Sequence, residues 1–303
     1  TDHIAGLLGV EPAGIIYTSG ASESNNLAIK GIAQASRNTG RHMISTVLEH
    51  ASVGGTLTAL QQQGWEVDLL DIQRDGTIDL EQLGDLLRKD TILVSVCAVD
   101  SELGTVQPIR KITEILEDFP NCRLHVDATQ AIGKTELVMD GVDTMSIAPH
   151  KFYGLNGSGL LLKKSSLIIE PQTHGGSSTT PYRSGTPALA LAVSIEKALQ
   201  LTLTQQEERI RYVRQLNEYL KTALLHYPAV RINSPEGAVP HILNLSVQGL
   251  KGTVFQRVLS ERGVCVSVKS ACSAEGTPSK AVFAVSGDRK NALSSWRVSL
   301  SHL

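Results

Sequence analysis

Thr91-Ile-Leu-Val-Ser-Val-Cys97, Ile109-Arg-Lys-Ile-Thr-Glu-Ile-Leu-Glu-Asp118 and Arg123-Leu-His-Val-Asp127 follow one another along the chain, and their reading decides the fold. The first is a short apolar run of strand length, the second carries apolar residues at three- and four-residue spacing, and the third is a second short strand. Strands of this kind joined by an amphipathic helix mark a parallel sheet with crossover helices. Working outward, the same alternation predicts strands near 15–18, 42–46, 65–70, 143–147 and 158–163. Helices are predicted over Ser24 to Arg37, Ser52 to Gln63 and Leu80 to Lys89. The expectation is a doubly wound α/β domain.

Beyond it, residues 165–187 read as loop around His174-Gly-Gly-Ser-Ser-Thr-Thr-Pro181. Ala188 to about Leu225 reads as one long helical stretch that turns charged at Gln205-Gln-Glu-Glu-Arg-Ile-Arg-Tyr212. From 226 onward the pattern is strand, helix, strand, loop, strand, with Ile242-Leu-Asn-Leu-Ser-Val247 alternating apolar and polar. The expected division is a large α/β domain over 1–200, a connecting helix over 201–225 and a smaller α+β domain over 226–303.

The chain has 303 residues, 41% apolar and 19% charged, with 28 basic and 30 acidic side chains. That balance of −2 argues against a polybasic face for nucleic acid or anionic lipid. Apolar runs fall far short of the roughly 18 residues of a membrane helix, and no basic-then-apolar leader opens the sequence. A cytoplasmic protein is expected. The cysteines at 97, 122, 265 and 272 have no C-x-x-C pairing, which argues against a zinc site or a disulfide scaffold. Cys97 and Cys265 lie in apolar runs and read as small buried hydrophobes in strands, while Cys122 sits in a Pro-Asn-Cys turn. Cys272, in Lys269-Ser-Ala-Cys-Ser-Ala-Glu-Gly-Thr-Pro278, has the surroundings of a mobile exposed loop, and its composition leaves a reactive and an inert thiol equally open.

Four stretches bear on chemistry. Tyr17-Thr-Ser-Gly-Ala-Ser-Glu-Ser-Asn-Asn26 leads from a strand through glycine and hydroxyl residues into a helix, which makes either an anion cradle or a well-capped helix start. It lacks the lysine of a P-loop, so a single phosphate group fits better than a nucleotide. His125-Val-Asp-Ala-Thr-Gln130 puts a carboxylate at the end of a buried parallel strand, where it is costly unless it meets a cation such as a protonated ring nitrogen. His50, in Leu48-Glu-His50, could stack on a flat ligand or simply cap a helix. Lys151 lies just past a strand, in Pro149-His-Lys-Phe-Tyr-Gly-Leu-Asn-Gly-Ser-Gly159, and its neighbours Ala148, Pro149, Phe152 and Tyr153 predict a desolvated, nucleophilic amine. An amine, a phosphate cradle and a strand-end acid together match the needs of pyridoxal phosphate.

Thr18-Ser-Gly-Ala-Ser-Glu-Ser-Asn-Asn26, Glu49-His50, Val126-Asp-Ala-Thr-Gln130, His150-Lys-Phe-Tyr-Gly154, Arg183-Ser-Gly-Thr186 and Lys269-Ser-Ala-Cys272 occur in this order. The set resembles the NifS-type cysteine desulfurases, class V of the fold-type-I pyridoxal-phosphate enzymes, over nearly the whole chain. The resemblance implies that fold, with a large, mostly parallel sheet domain and a smaller α+β C-terminal domain. It implies conversion of L-cysteine to L-alanine with a persulfide left on Cys272 for a sulfur acceptor, either a tRNA-thiolation enzyme or an iron–sulfur scaffold. By the same resemblance Lys151 is the Schiff-base lysine, Asp127 the partner of the pyridinium, Gln130 the donor to the ring hydroxyl and His50 the residue stacked on the ring. Ala21, Ser22 and His150 would hold the phosphate, joined by Thr186 from the neighbouring subunit of a homodimer. Arg297, in Trp296-Arg-Val-Ser299, would grip the substrate carboxylate. No metal, nucleic acid or membrane contact is implied.

The chain departs from the commoner pattern in three places. Val99-Asp-Ser-Glu102 replaces a pair of asparagines and leaves Ser101 as the shorter substitute for a substrate contact. Ala148 replaces a phosphate-binding serine, and Gly176-Ser-Ser-Thr-Thr180 replaces a Gly-Gln-Glu pattern. These changes resemble a bacterial branch tied to tRNA 4-thiouridine. The family's opening Asp-(Asn/Ser)-Ala-Thr-Thr motif is absent, Thr1 to Gly9 read as the tail of a helix, and the sequence stops soon after Ser299, so it reads as trimmed at both ends. Selenocysteine lyase, a plain class V aminotransferase and a non-catalytic homologue are the competing readings.

Overall fold

The computed structural model describes residues 1–177, 179–269 and 276–303. Its contacts divide the chain into two compact units, residues 1–70, 80–98 and 108–205, and residues 71–79, 99–107 and 206–303.

The first unit is built on a seven-stranded sheet. Its strands are β1 (Ile15–Thr18), β2 (His42–Thr46), β3 (Glu66–Leu70), β4 (Thr91–Cys97), β5 (Arg123–Asp127), β6 (Thr144–Ile147) and β7 (Gly159–Lys163), in spatial order β1-β7-β6-β5-β4-β2-β3. All neighbouring pairs are parallel except those of β7, which runs antiparallel to both β1 and β6. A strand antiparallel to two neighbours leaves those two parallel to each other, so β1, β2, β4, β5 and β6 all end on one edge of the sheet. That edge is where open α/β sheets bind ligands.

Every residue of β2, β4, β6 and β7 is buried, which is the reason β4 and β7 read as largely apolar runs, while the polar side chains of β2 and β6, among them His42, Ser45, Thr144 and Ser146, are buried with them. The helices of this unit are α1 (Asp2–Leu8), α2 (Ala21–Ala35), α3 (Ala51–Gln61), α4 (Leu80–Leu86), α5 (Ile109–Leu116) and α6 (Leu189–Thr204). Helix α2 packs on β1 and β4–β7, and its Leu27, Ala28, Ile29 and Ile32 join Ile16, Met43, Leu93 and Leu161 in one core.

The second unit holds α7 (Gln206–Leu224), β8 (Val230–Ile232), β9 (Ile242–Val247), α8 (Gly252–Ser260), α9 (Lys280–Ser286), α10 (Arg289–Ser294) and β10 (Ser295–Ser299). Its three strands form an antiparallel sheet in the order β10-β9-β8. Leu243, Leu245 and Trp296 form its core, and Phe255 stacks on Trp296 with ring centroids 4.6 Å apart.

Three expectations need correction. The stretch from Ala188 to Leu225 is two helices rather than one, broken at Gln205. The break falls in Thr204-Gln-Gln-Glu-Glu-Arg209, a polar run with no apolar side chain to hold one continuous helix against a core. Cys265 is exposed and outside any named strand. Its run makes one bridge, Ser267 with Arg297, and Val266 turns toward the small core, so period two sends Cys265 outward. Past residue 226 the order is also richer than expected, with β8 and β9 consecutive and three helices before β10. Cys97 is buried at the end of β4, as its run predicts, and Cys122 is buried too.

Candidate active site

Asp127 closes β5 and is 5% exposed. Its Oδ1 accepts from the Thr129 amide at 3.0 Å and its Oδ2 from Asn25 Nδ2 at 2.9 Å. No cationic side chain pairs with it among the described residues, so the buried carboxylate is stabilised by neutral donors alone. Asn25 comes from α2. Its Nδ2 also donates to Ser52 Oγ at 2.9 Å, and its Oδ1 lies 3.0 Å from His125 Nε2. His125 Nδ1 lies 2.9 Å from the Thr144 hydroxyl. Burial pulls the His125 ring down to about 4, against the nearby Asp127 charge, so it is neutral at pH 7.

His50 is the N-cap of α3. Its Nδ1 accepts from the Ser52 amide at 3.2 Å and sits 2.8 Å from Ser52 Oγ. Beside it, Glu49 Oε1 accepts from the Cys97 amide at 2.8 Å and from the Thr46 hydroxyl at 3.0 Å, while Oε2 is buried with no hydrogen-bond partner among the described residues. Burial, with the Asp127 charge adding to it, pushes the Glu49 carboxyl up to about 8. Glu49 is therefore a neutral acid at pH 7.

The start of α2 has Gly20 at its N-cap and no capping side chain, which leaves the first-turn amides of Ala21 and Ser22 facing outward with the helix dipole behind them. The Ser19 amide donates to Glu23 Oε2 at 2.7 Å, and Arg183 Nε donates to Glu23 Oε1 at 2.8 Å. Burial works to raise the Glu23 pKa, but the bonds from Arg183 and Ser19 prevail and hold it low. Arg183 is thus tied to the first turn of α2, and Thr186, three residues further on, is exposed.

Lys151 ends a short 3-10 turn, Pro149–Lys151, directly after β6. Ala148, Pro149 and Phe152 are buried as expected, but Lys151 and Tyr153 are exposed. The desolvated amine predicted from the neighbours is therefore not formed by this chain's own flanks, because those apolar side chains turn into the core and the lysine turns away. Tyr153 has φ 71°, the only non-glycine residue in the left-handed region among those described, and marks backbone strain two residues from Lys151. Burial, with Lys151 adding to it, lowers the His150 pKa. Gln130 Oε1 accepts from Lys134 Nζ at 2.6 Å, which fixes the amide and leaves Nε2 as its donor.

In the second unit, Arg297 lies on β10, paired with Asn244 and bridged to Ser267. Its Nη1 donates to the Ser101 carbonyl at 2.6 Å, and its Nε is buried with no hydrogen-bond partner among the described residues. Asp100 Oδ2 accepts from the amides of Glu102 and Leu103, and burial with the Glu102 charge pushes its carboxyl up to about 7. Ser101 thus meets Arg297 through its backbone. Cys272 lies outside the described residues.

The structure therefore gathers Ala21, Ser22, His50, Asp127, Gln130, His150 and Lys151 on the elements that leave one sheet edge. Within the second unit, Arg297 and Ser101 meet. Reading the sequence missed Asn25, Ser52 and His125. The available signal was polarity at a core position: Asn25 precedes Ala28, Ile29 and Ile32 at helical spacing on the buried face of α2, and His125 shares the Asp127 face of β5. Among the described residues no group of three His, Cys, Asp or Glu side chains is placed to hold a metal ion, and no helix is long and apolar enough to cross a membrane.

Residues 1–303 match the aminotransferase class-V family. A NifS/IcsS protein homolog of Lactobacillus delbrueckii subsp. bulgaricus is 40% identical over 278 residues, covering 90% of this chain and 72% of that protein. The cysteine desulfurase IscS of Dictyoglomus turgidum is 35% identical over 289 residues, covering 94% of this chain and 73% of that protein. Among solved structures, a NifS-like protein superposes with a TM-score of 0.93 at 31% identity, over 99% of this chain and 80% of that one. A structure described as SspA in complex with cysteine gives 0.86 at 31% identity, over 99% of this chain and 85% of that one.

Proposed function

The chain belongs to the aminotransferase class-V family, and from that premise we propose that it is a cysteine desulfurase that converts L-cysteine to L-alanine and carries the sulfur away on Cys272. Its fold is that of the fold-type-I enzymes, and its relatives are NifS and IscS proteins. The observation that carries the reading is Asp127, a buried carboxylate with no cation beside it among the described residues, on the sheet edge that also holds an uncapped helix start and a lysine. Those residues fit pyridoxal phosphate. Asp127 would face the pyridinium, the amides of Ala21 and Ser22 with His150 would hold the phosphate, Gln130 Nε2 would donate to the ring hydroxyl, and His50 would lie on the ring.

When bound, pyridoxal phosphate supplies an aldehyde carbon that captures amines and a protonated ring that withdraws electrons. Asp127 would hold the proton on the ring nitrogen. The Lys151 amine takes and returns the proton at the substrate α-carbon. Arg297 holds the substrate carboxylate, with the Ser101 carbonyl fixing its Nη1. The Cys272 thiolate attacks the cysteine sulfur: an S–S bond forms, the Cβ–S bond breaks, and its electron pair stays with carbon, which takes up a proton equivalent to the one the Cys272 thiol gave up and ends as the methyl of alanine. The persulfide then passes to an acceptor protein.

The further readings rest on sequence features. Val99-Asp-Ser-Glu102, Ala148 and Gly176-Ser-Ser-Thr-Thr180 support the tRNA 4-thiouridine branch as the destination of the sulfur. The exposed Thr186 supports a homodimer in which each subunit lends this residue to the other's phosphate site. A cytoplasmic location goes with both.

Cys272→Ala tests the sulfur step. The variant should keep the visible absorbance of lysine-bound cofactor and form no persulfide and no sulfide from cysteine. Sulfide release equal to that of the unaltered protein removes Cys272 from the mechanism.

A further inference from the structure

Each hydrogen bond joining Asp127, Asn25, Ser52 and His50 has a direction that chemistry fixes. An amide nitrogen only donates, so Asn25 Nδ2 donates both to Asp127 Oδ2 and to Ser52 Oγ, each at 2.9 Å. The reverse orientation of the amide would set its carbonyl against a carboxylate. Asn25 Oδ1 then accepts from His125 Nε2 at 3.0 Å, and the Thr144 hydroxyl donates to the remaining nitrogen of that ring at 2.9 Å. Ser52 Oγ, having accepted from Asn25, has one proton to give, and its neighbour is His50 Nδ1 at 2.8 Å. The Ser52 backbone amide, also donor-only, points at the same nitrogen from 3.2 Å. Two donors converge on His50 Nδ1, so that nitrogen carries a lone pair, and the proton of the neutral ring sits on Nε2.

We propose that Asn25 and Ser52 are positioning residues: their chain of hydrogen bonds holds the His50 ring as its Nε2–H tautomer and ties its orientation to the Asp127 carboxylate. The two groups read as gripping the cofactor ring, one at its edge and one on its face, are thereby a single mechanical unit spanning α2, α3 and β5. His50 then presents an N–H, not a lone pair, to whatever lies beyond Nε2. The proposal rests on the reading of His50 as the ring-stacking residue, but the tautomer itself does not depend on the reaction.

The test uses the cofactor-loaded protein with 15N-labelled histidine, held at a pH where the rings are neutral. The His50 signals are assigned by their loss in His50→Asn. The expected spectrum has a pyridine-like Nδ1 and a pyrrole-like Nε2. In Ser52→Ala, which sits in the first turn of α3 and suits a helix, the Nδ1 signal should move to the less shielded position of a nitrogen that has lost a donor. The kcat for alanine formation should fall roughly fivefold while KM for cysteine is unchanged, the size expected for one lost hydrogen bond. Ser52→Thr, which keeps the hydroxyl, should restore both. A proton on His50 Nδ1 in the unaltered protein, an unmoved Nδ1 signal in Ser52→Ala, or an unchanged kcat in that variant overturns the proposal. Failure of the unaltered protein to make alanine from cysteine would instead overturn the functional reading and leave the ring signals to decide the tautomer.

Discussion

Glu49 places a carboxyl where water cannot reach it, with one oxygen bonded to the Cys97 amide and the Thr46 hydroxyl and the other without a hydrogen-bond partner among the described residues. Burial raises it from its ordinary 4.5 to about 8, so the folded chain holds a proton that the unfolded chain releases. The sign follows from linkage. Stability from this group is fully present below about 4.5, is lost as pH rises from there through about 8, and is absent above. Glu49→Gln keeps the accepting oxygen and cannot ionise. Urea midpoints measured from pH 5 to 8.5 should therefore fall with rising pH in the unaltered protein relative to the variant, by an amount of order a few kcal/mol over the window. Parallel profiles would contradict a protonated Glu49. Asp100, pushed up to about 7 by burial and by Glu102, adds a slope of the same sign up to that pH. At this scale the sequence was informative wherever a motif named a side chain. It was silent where a residue matters through another, as Asn25 and Ser52 do.

The turn from β1 into α2 depends on a close approach between backbones. Gly159 opens β7 opposite Thr18, and a Cβ there would sit 2.6 Å from Gly20 Cα and 2.8 Å from Thr18 Oγ1. Neither the glycine backbone nor the strand residue can give way cheaply, so Gly159→Ala must push the N-terminus of α2 off its position. The displacement should cost about 1–3 kcal/mol in stability. It should also weaken pyridoxal phosphate binding by roughly tenfold, read by titrating cofactor into the stripped protein. An unchanged Kd would show that the amides of Ala21 and Ser22 are not the phosphate cradle. The strands β4 and β7 could be located closely from sequence because they are buried on both faces, and burial there leaves a largely apolar run whatever the register. The break at Gln205 was not legible, since the polar run Thr204 to Arg209 reads equally as the solvated face of one continuous helix. Cys265 misled for a related reason: alternation marks an extended run but not which side of it is covered.

For the molecule as a whole, the chain order of motifs and the parallel topology carry the same information. Because β1, β2, β4, β5 and β6 all end on one edge, residues as far apart in sequence as Ala21, His50, Asp127 and Lys151 leave the sheet on the same side. That convergence could be anticipated from the strand–helix alternation alone. The exposure of Lys151 could not, because the flanking apolar residues turn inward and only the backbone geometry around Tyr153, with its φ of 71°, reveals how the lysine is presented. The central claim is that this edge binds pyridoxal phosphate and turns cysteine into alanine and transferable sulfur. The measurement that bears on it most directly is the visible spectrum of the cofactor-loaded protein before and after adding L-cysteine, with alanine and sulfur assayed in the same tube. A lysine-bound absorbance that changes on adding cysteine, with alanine and sulfur released in equal amounts, is the result predicted; an unchanged spectrum with no alanine would contradict it.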